Sequence, residues 1–112
     1  MNWKVLEQNK QLDSIVEESK IHPIVIFKHS TRCPVSSMAL SRFESDWSDD
    51  KAGEITPYFL DLIANRQISN EVASRFGVTH QSPQVLVIKD GLSVYDASHN
   101  SIDFTDILSF NE

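Results

Sequence analysis

The sequence predicts an α/β fold: a central four-stranded mixed sheet flanked by helices, in the order α-β-α-β-α-β-β-α. Three observations predict it. Two short apolar runs without alternation, Ile24-Val25-Ile26-Phe27 and Val85-Leu86-Val87-Ile88, read as strands covered on both faces. Segments with apolar residues three and four apart separate the strands, as helices between neighbours of one sheet would. The pair Asp90-Gly91 follows the second run directly and is a strong two-residue hairpin signal.

Size and composition fit that fold. The 112 residues suit one domain spanning 1–112, with 40% hydrophobic and 23% charged residues. The net charge is −6 with no Lys/Arg cluster, which argues against a nucleic acid partner and against an anionic membrane surface. No apolar run is long enough to span a bilayer, and the N-terminus lacks a basic region followed by an apolar one. A soluble, cytoplasmic protein is therefore expected. A single cysteine makes no internal disulfide, which fits a reducing compartment.

In chain order, Leu12, Ile15 and Val16 have helical spacing and Gln11, Asp13, Glu17 and Glu18 supply a polar face, so a helix is predicted from about Asn9 to Ser19. Residues Lys20 to Pro23 form a turn before the first strand. After that strand, Val35, Met38, Ala39, Phe43 and Trp47 read as one face of a helix, with Pro34 suited to its first position. The helix ends in the polar stretch Asp46 to Gly53. Residues Tyr58 to Leu62 form the next strand, with Pro57 tolerated at its start. Ile68, Val72, Ala73 and Phe76 mark a third helix, and Gly77 is placed as its left-handed cap. Residues His80 to Pro83 are a loop, and Leu92 to Tyr95 pair antiparallel with Val85 to Ile88. Phe104, Ile107 and Leu108 mark a last helix, with Asp103 and Asp106 near its N-terminus.

The lone Cys33 lies where the first strand hands over to a helix N-terminus. Unpaired backbone N–H groups and the helix dipole favour an anion there, and this placement is one way in which a thiolate is stabilised. Cys33 is thus a candidate nucleophile. Ser36 lies three residues on, one helical turn away, and its hydroxyl is a candidate donor to the sulfur. Serine also caps helices, and the two uses are compatible. Serine forms no disulfide, so a mixed disulfide on Cys33 needs a thiol from solution to release it. Four histidines, His22, His29, His80 and His99, show no metal-ligand spacing, and no metal is expected.

The element order, with a cysteine at the first strand–helix junction and a proline just before the hairpin, is that of the thioredoxin fold. The strings Thr31-Arg32-Cys33-Pro34-Val35-Ser36, Ile68-Ser69-Asn70, His80-Gln81-Ser82-Pro83-Gln84 and Val94-Tyr95-Asp96-Ala97-Ser98-His99 resemble the monothiol bacilliredoxins, a thioredoxin-like family of bacteria that make bacillithiol. The resemblance runs from about Trp3 to Phe110. It implies removal of bacillithiol from protein mixed disulfides, with S-thiolated cytosolic proteins as partners, bacillithiol as co-substrate, no tightly bound cofactor, and a place in the bacterial stress response. It also implies that Ser82-Pro83 is a cis peptide facing Cys33, where Thr31, Arg32, Pro34, Ser82 and Pro83 would meet the small thiol. Arg32 either stabilises the thiolate, holds a ligand carboxylate, or is a solvated surface residue. His80 and His29 are either packed side chains or proton donors near the site.

Departures from neighbouring families narrow the reading. With no cysteine at position 36, self-resolving dithiol chemistry is excluded. The buried acid and the Trp of thioredoxins are missing from the strand before the motif. Ser98-His99-Asn100-Ser101 stands where glutaredoxins carry a Gly-Gly segment for glutathione. Two alternatives remain open: a redox-inert binding or adaptor module, and a thiol sensor that dimerises through Cys33.

Overall fold

A computed structural model describes residues 1–111. The elements are β1 (Lys4–Val5), α1 (Lys10–Glu18), β2 (Ile24–His29), α2 (Pro34–Asp46), α3 (Asp49–Ala52), β3 (Thr56–Asp61), α4 (Arg66–Phe76), β4 (Gln84–Lys89), β5 (Leu92–Ser98) and α5 (Phe104–Ile107). Short 3-10 turns at His99–Ser101 and Leu108–Phe110 flank α5. The sheet order is β1-β3-β2-β4-β5. The β1, β3 and β2 strands run parallel, and β4 and β5 are antiparallel to their neighbours.

The sheet has five strands, one more than the sequence predicts. The addition is β1, whose two residues pair Lys4 with Tyr58 and Val5 with Phe59. Two residues carry no period, so nothing local marks them as a strand. Trp3 holds this edge in place. Its ring packs against Phe27, Phe43 and Phe59 with centroids 5.9, 6.0 and 5.7 Å away, and its Nε1 donates to Glu44 Oε2 at 2.8 Å.

The β2 strand sits centrally and every one of its residues is buried. Its side chains alternate between two cores, as a strand's period of two requires. Val25 and Phe27 join Ala39, Phe43, Val85, Val87, Phe104 and Ile107 beneath α2 and α5. Ile24 and Ile26 join Leu12, Ile15, Leu60, Ile68, Val72 and Leu86 beneath α1 and α4. The buried face of α2 is Ser36, Ala39 and Phe43. Val35 and Met38, assigned to that face from sequence, are exposed instead at 43% and 72%. The true stripe carries a polar residue in its first turn, which an apolar pattern passes over.

The hairpin forms at Asp90-Gly91, with φ of 54° and 76°. Two successive positive φ values match the twist of the flanking strands, which is why this dipeptide signals a hairpin. The pairing runs from Lys89↔Leu92 back to Gln84↔Ser98, with an irregularity between Val87 and Ile88. Ser19 grips the turn: its carbonyl accepts from Asp90 N–H and its Oγ from Gly91 N–H, each at 2.8 Å. Gly77 caps α4 at φ 65°, as predicted.

Candidate functional site

The site forms at one end of the sheet. Antiparallel register pairs Lys28 with Gln84, so the segment leaving β2 and the segment entering β4 emerge side by side. The first leads through Ser30 to Cys33; the second is the loop ending at Ser82-Pro83. That peptide is cis. Cys33 is half-buried and is the N-terminal capping residue of α2, with extended backbone at φ −116° and ψ 116°. Its N–H donates to Ser30 O at 3.2 Å, and its own carbonyl accepts from Ser37 N–H at 3.1 Å. Pro34 occupies the first helical position, where a missing N–H costs nothing. No side chain caps this helix start, so the first-turn amides stay available to an anion.

Thr31, Arg32 and Pro34 are exposed beside the thiol. The Arg32 backbone N–H donates to Ser30 Oγ at 3.4 Å, while its guanidinium makes no ion pair with the described residues. Ser82 is half-buried and Pro83 buried. Ser82 Oγ and Gln84 Oε1, which flank Pro83, are buried oxygens without a hydrogen-bond partner among the described residues. The Gln84 amide's other end donates to Thr79 O at 3.1 Å and closes the loop on itself.

Ser36 is fully buried, and its hydroxyl is engaged away from the sulfur. Ser36 Oγ accepts from Ser30 N–H at 3.0 Å and lies 2.7 Å from His29 Nδ1. His29 is 7% exposed and packs against Phe59. Burial pushes its imidazole below the usual range, against the opposing pull of Asp61 and then Glu44. The ring is therefore neutral at pH 7. Asp61 itself terminates β3, its Oδ1 accepting from the N–H groups of Ile63 and Ala64.

The other face of β2 carries Lys28, with 0% exposure. Its Nζ donates to Ser69 O and to His80 Nδ1, each at 3.3 Å. No carboxylate among the described residues faces it. Burial lowers its pKa to about 8. An ammonium group has no lone pair, so His80 Nδ1 accepts and the ring proton resides on Nε2. His80 is held below its usual pKa by burial, then by the charges of Lys28 and Arg66. The candidate histidine of the proline loop is thus tied to α4 through Ser69 and to β2 through Lys28.

Ser69 and Gln84 lie in strings that carry the family resemblance, but nothing local in the sequence marks them, or Lys28, as buried polar groups around the site. The one hint is that two polar residues, Lys28 and His29, continue an apolar run without a turn residue between. Among the described residues no group of three or more His, Cys, Asp or Glu side chains is arranged to hold a metal ion. No helix of the structure is long and apolar enough to cross a membrane.

Comparison with known proteins decides between relatives of this fold. The family model of the monothiol bacilliredoxin BrxC matches residues 4–107. The chain belongs to the monothiol bacilliredoxin family. Solved structures place this bacilliredoxin among thioredoxin-fold proteins. One, described by its thioredoxin fold and assigned to the oxidoreductases without a defined reaction, is 26% identical with a TM-score of 0.80, over 96% of this chain and 92% of that one. The thioredoxin of Malassezia sympodialis is 18% identical with a TM-score of 0.74, over 96% and 86%. That of Fasciola hepatica is 22% identical with a TM-score of 0.69, over 95% and 93%. The last two likenesses concern the fold alone. Family and neighbours together support a thiol oxidoreductase-like role for this bacilliredoxin.

Proposed function

We propose that the protein removes bacillithiol from mixed disulfides of cytosolic proteins, with Cys33 as the only reacting thiol and bacillithiol as the second reductant. The Cys33 thiolate attacks the bacillithiol sulfur of the mixed disulfide. A new sulfur–sulfur bond forms between Cys33 and bacillithiol, the old one breaks, and the freed protein thiolate takes a proton from solvent. A second bacillithiol thiolate then attacks the bacillithiol sulfur on Cys33. This step releases the Cys33 thiolate and bacillithiol disulfide, so the incoming bacillithiol is the reductant, its sulfur oxidised as the substrate protein's is reduced.

The observation that carries the reading is the residue at position 36. A half-exposed thiol caps the helix, and a serine buried one turn later cannot resolve a disulfide on it. Arg32, exposed beside Cys33, suits the carboxylates of an anionic thiol. Ser82 Oγ, buried next to Pro83 without a partner among the described residues, suits a hydrogen bond to the bound thiol. Both assignments, and residence in the cytoplasm, belong to the proposal.

Mass spectrometry after exposure to oxidised bacillithiol tests it. One adduct is expected, on Cys33, and Cys33→Ser should abolish both the adduct and release of bacillithiol from a thiolated test protein. An unmodified Cys33 alongside a reacting control thiol would falsify the proposal. Slow alkylation of Cys33 at neutral pH would favour an inert binding module instead.

A further inference from the structure

The proline loop carries one side chain that the thiol exchange leaves unused. His80 stands three residues before the cis Pro83, and the register of Lys28 with Gln84 brings that loop beside the segment running from β2 to Cys33. The ring is held from beneath. Its Nδ1 meets Lys28 Nζ at 3.3 Å and Ser69 Oγ at 3.4 Å, and Lys28 and Ser69 are wholly buried. The ammonium group gives a proton and takes none, so Nδ1 is an acceptor and the ring proton is on Nε2. The two ring nitrogens point away from each other. His80 is half-buried with its Nδ1 edge inward, so its Nε2 edge is the outer one. That N–H has no hydrogen-bond partner among the described residues. The charges that act on the ring, those of Lys28 and Arg66, are both positive. Arg66 is exposed and forms no ion pair with the described residues. In a chain of net charge −6, two cations and an outward N–H donor thus meet at this loop, and no carboxylate of the described residues pairs with any of them.

We propose that His80 Nε2–H binds a carboxylate of the small thiol as that thiol reacts at Cys33. The proposal rests on Cys33 being the reacting thiol and adds a specificity-determining residue to its site. The neutral ring contributes direction and no charge: Nε2–H donates one charge-assisted hydrogen bond to a carboxylate oxygen. Lys28 and Arg66 supply the field, and Lys28 also keeps the donor facing outward. With Nδ1 committed to Lys28, the ring has no free lone pair. It therefore holds the ligand and takes no proton from the attacking or leaving thiol. An acidic thiol is favoured in this way over an uncharged one of the same length.

The test uses disulfides of known chemistry, so it stays readable if bacillithiol is not the substrate. The disulfides of mercaptopropionate and mercaptohexanoate carry a carboxylate on a short and a long arm, and those of mercaptoethanol and mercaptohexanol are the uncharged controls. In each case the Cys33 thiolate attacks one sulfur, a bond forms between the two, and the other half leaves as a thiolate. Mass spectrometry follows the adduct with time. His80 is neutral at pH 7, so His80→Phe changes no charge. It should slow at least one acid disulfide about tenfold, the scale of a hydrogen bond to a charged acceptor, and leave both controls unchanged. His80→Gln, which can carry an amide N–H to the Nε2 position, should restore most of the rate. An equal loss on acids and controls, no loss on either acid, or a His80→Gln variant as slow as His80→Phe overturns the proposal. Long-range nitrogen–proton NMR of the wild-type protein reads the ring directly, and a proton on Nδ1 at pH 7 overturns it as well. A Cys33 that takes up the acid disulfides selectively yet ignores oxidised bacillithiol would remove the functional reading and leave the role of His80 standing.

Discussion

Adjacent residues of β2 bury polar groups on opposite faces of the sheet, and they do so on different terms. His29 faces α2 and meets a partner able to match it, a serine hydroxyl that either gives or takes a proton. Lys28 faces α4 and, among the described residues, meets only acceptors that carry no charge, a carbonyl oxygen and a ring nitrogen. The first arrangement costs little, because the Nδ1–Oγ contact is a hydrogen bond whichever way the proton lies. The second keeps a desolvated cation with no counter-charge, which costs stability unless the amine loses its proton. The comparison teaches that the α2 side of the site is electrically quiet and adjustable, while the α4 side stores a penalty.

The packing beneath the two faces offers the largest break. Phe43 lies among Trp3, Phe27, Trp47 and Phe104, with centroids 5.4 to 6.0 Å away. Phe43→Ala should cost about 3–5 kcal/mol in urea unfolding, and should loosen the His29 side while leaving the Lys28 linkage in place. Lys28 gives the next effect. Its folded pKa is about 8 against 10.5 when free, so between these values the unfolded chain binds more protons. Stability should therefore rise with pH, by roughly 2–3 kcal/mol between pH 8 and 10. Lys28→Met should remove that slope and be at least as stable as wild type at pH 7. A slope that survives the substitution would place its origin elsewhere. Above pH 10 the trend should reverse, because burial and then the hydrogen bond to Glu18 raise the pKa of Tyr58.

Ser36→Ala should cost less, about 1–2 kcal/mol, since it leaves Ser30 N–H and the His29 ring without their shared partner. Equilibrium unfolding at pH 7 measures it, and the pH slope should be unchanged. The smallest effect belongs to the exposed pair Asp13–Arg75, 2.8 Å apart between α1 and α4. Asp13→Asn should shift stability by under about 1 kcal/mol, confirming that the electrostatics of this side reside in Lys28.

The two faces were not equally legible. Ile24 to Phe27 announce a covered strand, and Cys33-Pro34 announce the helix that follows, because the forces involved act on neighbours in sequence. The left-handed cap at Gly77 and the Asp90-Gly91 turn are legible for the same reason. Ser36 was visible as the third residue after Cys33, yet its partner was not. His29 and Ser36 belong to a strand and a helix, and no period links them. The predicted strand stops at Phe27, one residue short of Lys28, whose burial depends on Ser69 and His80, 41 and 52 residues away. The cis Ser82-Pro83 peptide followed from family resemblance, since local chemistry favours trans. Met38 misled because a methionine at helical spacing counts as core until something fails to cover it.

The grip of Ser19 on the hairpin turn reaches further than the turn itself. Two amides of the β4–β5 connection end on one residue at the close of α1, and Gly91 leaves just enough room there, a Cβ on it meeting Val16 Cγ1 at 3.4 Å. The hairpin is a lever, six residues of β4 long, clamped at the end remote from the thiol. Its free end carries Ser82 and Pro83. In native-state hydrogen exchange, the Asp90 and Gly91 amides and the last turn of α1 should open as one cooperative unit. When that clamp releases, the Ser82-Pro83 loop loses its fulcrum.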